Sequence, residues 1–165
     1  MKNMNKKTRF ICQSAVIAAL YVVLTYLAHL VGLDSGVIQV RFSEALCALA
    51  IFTPAAIPGL FVGCILANLL ARCEVLDIIF GSLATLIGAV GTYLLRKYPI
   101  PALLPPIISN MLIVPLVLKF AYGLEYGLWF LILTVGAGEV ISVGILGFIL
   151  YKALKPQANK IFNLH

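Results

Sequence analysis

From Phe10 to Leu33 the chain runs without a single Asp, Glu, Lys or Arg. The hydrocarbon core of a bilayer takes about 20 helical residues, and this stretch is long enough to cross it. Further apolar runs follow. Only 11% of the residues are charged, against 62% hydrophobic, whereas soluble domains carry about a quarter charged residues. The sequence therefore reads as an all-α integral membrane protein. With 165 residues and roughly 20 residues per span, about six spans fill the chain. We expect one transmembrane domain over 1–165 and no separate soluble domain.

Six helices are expected, over about 9–31, 41–52, 55–71, 76–95, 106–122 and 126–154. Gly32–Val40 carries two glycines and Asp34 and reads as a loop. Thr53-Pro54 separates the second helix from the third, because proline has no N–H to continue the ladder. Arg96–Pro106 is a proline-rich connection, and Pro115 predicts a kink in the fifth helix. The stretch from Phe10 is too long for the apolar region of a signal peptide, and no small-residue cleavage site follows it.

Charge placement orients this scheme. The net charge is +6, and the basic residues gather in the tails and connections. With six crossings and a cytoplasmic N-terminus, Lys2, Lys6, Lys7, Arg9, Arg96, Lys97, Lys152, Lys155 and Lys160 all fall on the cytoplasmic side. Arg41, Arg72 and Lys119 fall on the other. Five crossings would place the C-terminal lysines outside, against the positive-inside tendency. Both termini are therefore expected in the cytoplasm.

Several chemistries are disfavoured. No G-x-x-x-x-G-K-[ST] phosphate loop is present, so the chain is not itself an ATPase. Cys12, Cys47, Cys64 and Cys73 form no C-x-x-C, and His29 and His165 stand far apart, so neither a metal nor a redox cofactor is expected. No Ser–His constellation or paired-His motif points to an enzyme.

Six polar residues stand against the apolar background. A carboxylate inside hydrocarbon costs several kcal/mol and is usually functional. Arg41 and Glu44, three residues apart, share one side of the second helix. Asn68 lies about 6 Å from one end of the third helix at about 1.5 Å per residue. Asp77 opens the fourth, where the helix dipole favours an anion. Asn110 and Glu139 lie about 15–20 Å down the fifth and sixth helices. Arg41, Glu44, Asn68 and Asp77 are thus expected to ring an outer mouth above a deeper Asn110–Glu139 pair. Gly136 and Gly138 would let a helix or a ligand approach Glu139 closely. Ala15 and Ala19, and likewise Gly59 and Gly63, are small pairs four apart, suited either to internal packing or to a membrane partner.

Val40–Leu46 (VRFSEAL), Thr53–Leu70 (TPAAIPGLFVGCILANLL), Leu76–Ala84 (LDIIFGSLA) and Thr134–Glu139 (TVGAGE), in that order, resemble the queuosine-precursor transporter family, often called QueT. The likeness extends from Arg9 to about Lys155. The family is one of the substrate-binding S components of energy-coupling factor (ECF) transporters. The resemblance implies a six-helix bundle that binds a 7-deazaguanine such as preQ1, preQ0 or queuine. It implies a transmembrane coupling subunit and two ABC-type ATPases as partners. It also implies that Ala15-x-x-x-Ala19 docks on the coupling subunit and that Gly32–Val40 helps to close the site. A deazaguanine offers N–H donors to Glu or Asp and a carbonyl to Arg or Asn. Phe42, Tyr122, Tyr126 and Trp129 are candidate stacking partners, although Tyr126 and Trp129 suit an interfacial aromatic belt better. The alternatives are a stand-alone proton-coupled transporter, or an S component for another vitamin-like substrate.

Overall fold

The computed structural model describes residues 5–33 and 38–162. Residues 34–37 of the expected loop Gly32–Val40 lie outside the described residues. No strand occurs among the described residues. Helix α1 spans Lys6–Leu30 and ends where Gly32 takes a positive φ of 70°. A 3-10 helix follows over Phe42–Ile51, then α2 (Ala56–Leu70) and α3 (Val75–Leu94). A 3-10 turn at Pro101–Leu103 leads into α4 (Leu104–Phe120). Helix α5 (Leu128–Glu139) passes without a break into a π-helical segment, Val140–Gly147, and then into α6 (Phe148–Leu154). A last 3-10 turn, Lys155–Gln157, precedes α7 (Ala158–Phe162).

Among the described residues, four helical stretches are long and apolar enough to cross a membrane: Lys6–Leu30, Val75–Leu94, Pro101–Phe120 and Leu128–Phe162. The protein is thus a multi-pass membrane protein. Phe42–Ile51 and Ala56–Leu70 are apolar but shorter.

The second helix departs most from expectation. It is 3-10 rather than α, and Ser43 to Ile51 are all buried. At about 2.0 Å rise per residue, its ten residues reach about 20 Å rather than about 15 Å. Runs of this length are uncommon because 3-10 geometry is tighter and weaker. Its sequence, FSEALCALAI, carries little bulk, so neighbours can close in from every side. The π segment is one of them: a Cβ added at Gly147 would stand 3.4 Å from the Ala45 carbonyl oxygen. The rod stops at Thr53-Pro54, and the Thr53 hydroxyl accepts the Ala55 N–H at 3.3 Å to start α2.

Glycine seams set the spacing around this rod. A Cβ at Gly59 would lie 2.7 Å from the Ser14 carbonyl oxygen, and one at Gly63 would lie 2.7 Å from Tyr21 Cβ. The pair on α2 is therefore an internal seam against α1. Helix α4 opens with Pro105 and Pro106, where missing N–H groups cost nothing in a first turn. These prolines press on α3 at Gly91 and Gly88, which have no side chain to resist them. Ala15 and Ala19 are exposed on α1, whereas Ile17, Ala18 and Tyr21 turn inward.

Gly59→Ala or Gly63→Ala should destabilise the bundle by about 1–3 kcal/mol, because backbone or a buried side chain would have to move. Gly127→Ala meets nothing within 4 Å and should match wild type. Thermal unfolding in detergent separates the two outcomes.

Candidate functional site

The polar centre is built on Glu44. The rod carries this side chain into the bundle, where it is 2% exposed. A buried carboxylate needs donors, since its desolvation is otherwise uncompensated. Three surround it. The Tyr21 hydroxyl donates to Oε1. Asn110 Nδ2 donates to Oε2 at 3.5 Å, and the Cys47 thiol points at the same oxygen at 3.5 Å. Cys47 meets Glu44 because residues three apart eclipse in a 3-10 helix.

Glu139 closes the group from α5. It is buried and lines the same cavity as Asn110. Its Oε2 is buried with no hydrogen-bond partner. Gln39, Arg41, Asn110, Val114, Val135 and Glu139 enclose a cavity of about 20 Å³. That is about the room one water needs. The 38–41 segment forms its cover. A Cβ at Gly138 would collide with the Gln39 carbonyl oxygen, and the Arg41 N–H donates to Ser142 Oγ at 3.1 Å. The π segment begins directly after Glu139, so Gly138 and Ser142 meet the cover from one continuous helix. Such segments are frequent at functional sites.

A second cluster surrounds Asp77 in the first turn of α3. Asp77 Oδ2 accepts from the Tyr122 hydroxyl at 3.0 Å, and that hydroxyl accepts the Glu74 N–H at 3.3 Å. Burial, and then the Asp77 carboxylate, push the Tyr122 phenol above its ordinary range. Asn68 Nδ2 reaches the Asp77 carbonyl at 3.4 Å. Arg41 lies near both clusters, lining the cavity with Asn110 and Glu139 and within electrostatic reach of Asp77 and Glu44.

The structure thus brings Arg41, Asn110 and Glu139 around one cavity, with Glu44 bonded to Asn110 and with Asn68 and Asp77 as a neighbouring group. One expectation is corrected. Glu44 is not a mouth residue above the Asn110–Glu139 pair but a hydrogen-bonded partner of Asn110. The tiered depths assumed an α-helix starting at Arg41, whereas Arg41 is extended, with φ −107° and ψ 108°, and the helix after it is 3-10. The aromatics divide. Tyr122 bonds Asp77, while Trp129 is 80% exposed and Tyr126 tilts against Phe130 with ring centroids 5.2 Å apart.

Tyr21, Gln39 and Ser142 were not anticipated from sequence. Tyr21 had a signal: it is a hydroxyl in the middle of an uncharged span, away from the interfaces that tyrosines usually favour. Gln39 and Ser142 had none, since their roles depend on where the π segment meets the cover.

The sequence profile of the QueT transporters matches residues 11–156. The chain belongs to the QueT transporter family. It is 41% identical over 93 residues to the queuosine precursor transporter QueT of Lactococcus lactis subsp. cremoris (strain MG1363). That match covers 56% of this chain and 54% of the relative, so the chain spans about half the length of the curated relative it matches. No solved structure matches the chain. Within the QueT match lie both polar clusters and the whole of the rod and the π segment.

Tyr21→Phe leaves Glu44 short of a donor in the core and should cost about 1.5–3 kcal/mol, the range for hydrogen bonds to charged groups. Tyr122→Phe acts on a more exposed bond and should cost less. Unfolding midpoints of the two variants in detergent give the comparison.

Proposed function

We propose that this protein is the substrate-binding membrane subunit of an ECF-type importer, and that it takes up a queuosine precursor, a 7-deazaguanine such as preQ1, preQ0 or queuine. The observation that carries this reading is Glu139 Oε2, a buried acceptor with no donor of its own, beside Glu44 and Arg41. Leaving such an atom unsatisfied costs free energy that a ligand N–H would recover. The ring N–H and exocyclic amine of a deazaguanine are such donors, and its carbonyl suits the Arg41 guanidinium or the Asn110 amide. In this reading Glu139 and Glu44 accept from the base, Arg41 and Asn110 orient it, and Asn68 and Asp77 shape the approach. The name of the Lactococcus relative supports this substrate class.

A cavity of about 20 Å³ is far smaller than a bicyclic base. Binding therefore requires the 38–41 cover to withdraw from Gly138 and Ser142, and its return would seal the base from water. The chain forms one transmembrane domain. It crosses the membrane six times, with the rod and α2 as short spans and both termini in the cytoplasm. The grouping of the tail and connection lysines supports this orientation. Energy comes from two ABC-type ATPase subunits through a coupling subunit. Ala15 and Ala19, exposed side by side on α1, suit a close helix contact with that partner.

Isothermal titration of the purified protein with preQ1 tests the site. Glu139→Gln keeps the shape but not the charge. It should weaken binding tenfold to about a hundredfold, the worth of a charge-assisted hydrogen bond, while the unfolding midpoint holds. Wild-type affinity in that variant would remove Glu139 from the site. Uptake in cells lacking every ATPase partner should be abolished. Uptake that persisted there would favour a stand-alone proton-coupled carrier, for which a buried carboxylate pair is also suited.

A further inference from the structure

A second concavity lies at the opposite end of α1 from the loop that covers the carboxylates. It is a groove of about 470 Å³ between the start of α1, the end of α6 and α7. Arg9 and Lys160 are its charged lining residues, and Val16, Leu20, Leu49 and Phe162 supply apolar walls. These walls are fixed in place. Gln13 Nε2 donates to the Ile161 carbonyl at 3.4 Å, and Gln13 Oε1 accepts from the Thr53 hydroxyl at 3.2 Å. Phe162 stacks on Phe52 with centroids 5.5 Å apart and 2° between the planes.

Length and charge identify what fits. From Arg9 to Leu20 the groove follows α1 for about 16 Å at 1.5 Å per residue. Half of a bilayer core about 30 Å thick is about 15 Å, so the apolar part is one leaflet deep. At its charged end the balance is one-sided. No acidic residue occurs before Asp34 or after Glu139, and none of the six acidic side chains lines the groove. Two cations above a leaflet-deep apolar slot are complementary to an amphiphile with an anionic head. An apolar protein helix would satisfy the slot but leave Arg9 and Lys160 unmatched.

We propose that this groove binds one anionic phospholipid. The phosphate rests between Arg9 and Lys160, and one acyl chain runs past Val16 and Leu20 toward Leu49. Basic pockets between membrane helices recognise lipid head groups in this way.

Native mass spectrometry of the full chain in neutral detergent, titrated with dioleoyl phosphatidylglycerol or dioleoyl phosphatidylcholine, tests the site. One phosphatidylglycerol should be retained, with at least about a tenfold preference over phosphatidylcholine. The double variant Arg9→Gln/Lys160→Gln should lose about 30-fold in affinity, the worth of two surface cations. Lys97→Gln/Lys152→Gln removes equal charge outside the groove and should bind as wild type. Val16→Trp changes an exposed residue, keeps both cations and blocks the acyl path, so it too should lose the lipid. Equal retention of phosphatidylcholine, or unchanged retention in Arg9→Gln/Lys160→Gln, would overturn the proposal. Displacement by equimolar glycerol 3-phosphate would assign the cations to a soluble phosphate and overturn it as well. So would a double variant that keeps the lipid but no longer assembles with a membrane partner, which would make the groove a protein interface.

Discussion

A carboxylate placed in an apolar bundle dictates its surroundings, and Glu44 does so here. Its charge cannot be left to lipid or to hydrocarbon side chains. Donors must come to it, and they come from α1, from α4 and from its own helix. Tyr21 reaches it because α1 packs on the rod, and Asn110 reaches it across from α4 through its side chain. The rod meets its part by being thin: alanines, a serine and a cysteine let surrounding helices close on it from all sides.

The same economy of bulk explains the seams. Gly59 and Gly63 let α2 press on α1, Gly88 and Gly91 let α3 receive the prolines that open α4, and Gly136 receives Met111 from α4. Lipid supplies no hydrophobic drive between helices, so close packing and polar contacts must hold them together. The outer surface obeys the opposite rule. Residues such as Leu30, Leu94, Phe120, Trp129 and Leu133 stay exposed because lipid is their solvent.

The polar centre is asymmetric. Glu44 is fully engaged, whereas Glu139 keeps one buried oxygen without a partner. Local conflict of this kind is expected where function takes precedence over stability. The 38–41 segment beside it bonds to Ser142 through the Arg41 N–H and to Leu33 through the Val40 N–H, and it lies close over Gly138.

The sequence by itself determined the environment and the cast. Uncharged runs of span length specify helices in lipid, and polar residues too costly to bury without purpose stand out at Glu44, Asn68, Asp77, Asn110 and Glu139. Thr53-Pro54 and the glycine pairs likewise announced a break and close seams. What the sequence could not convey was helix type and the depth it implies. Hydrophobic period does not distinguish a 3-10 rod buried on all sides from an α-helix, because there is no polar face to mark the turn. Tertiary packing alone decided that Glu44 reaches Asn110, that Tyr21 caps it, and that Gln39 lies over Gly138. Each depends on which backbones can touch, and that distance is set by neighbours far apart in the chain.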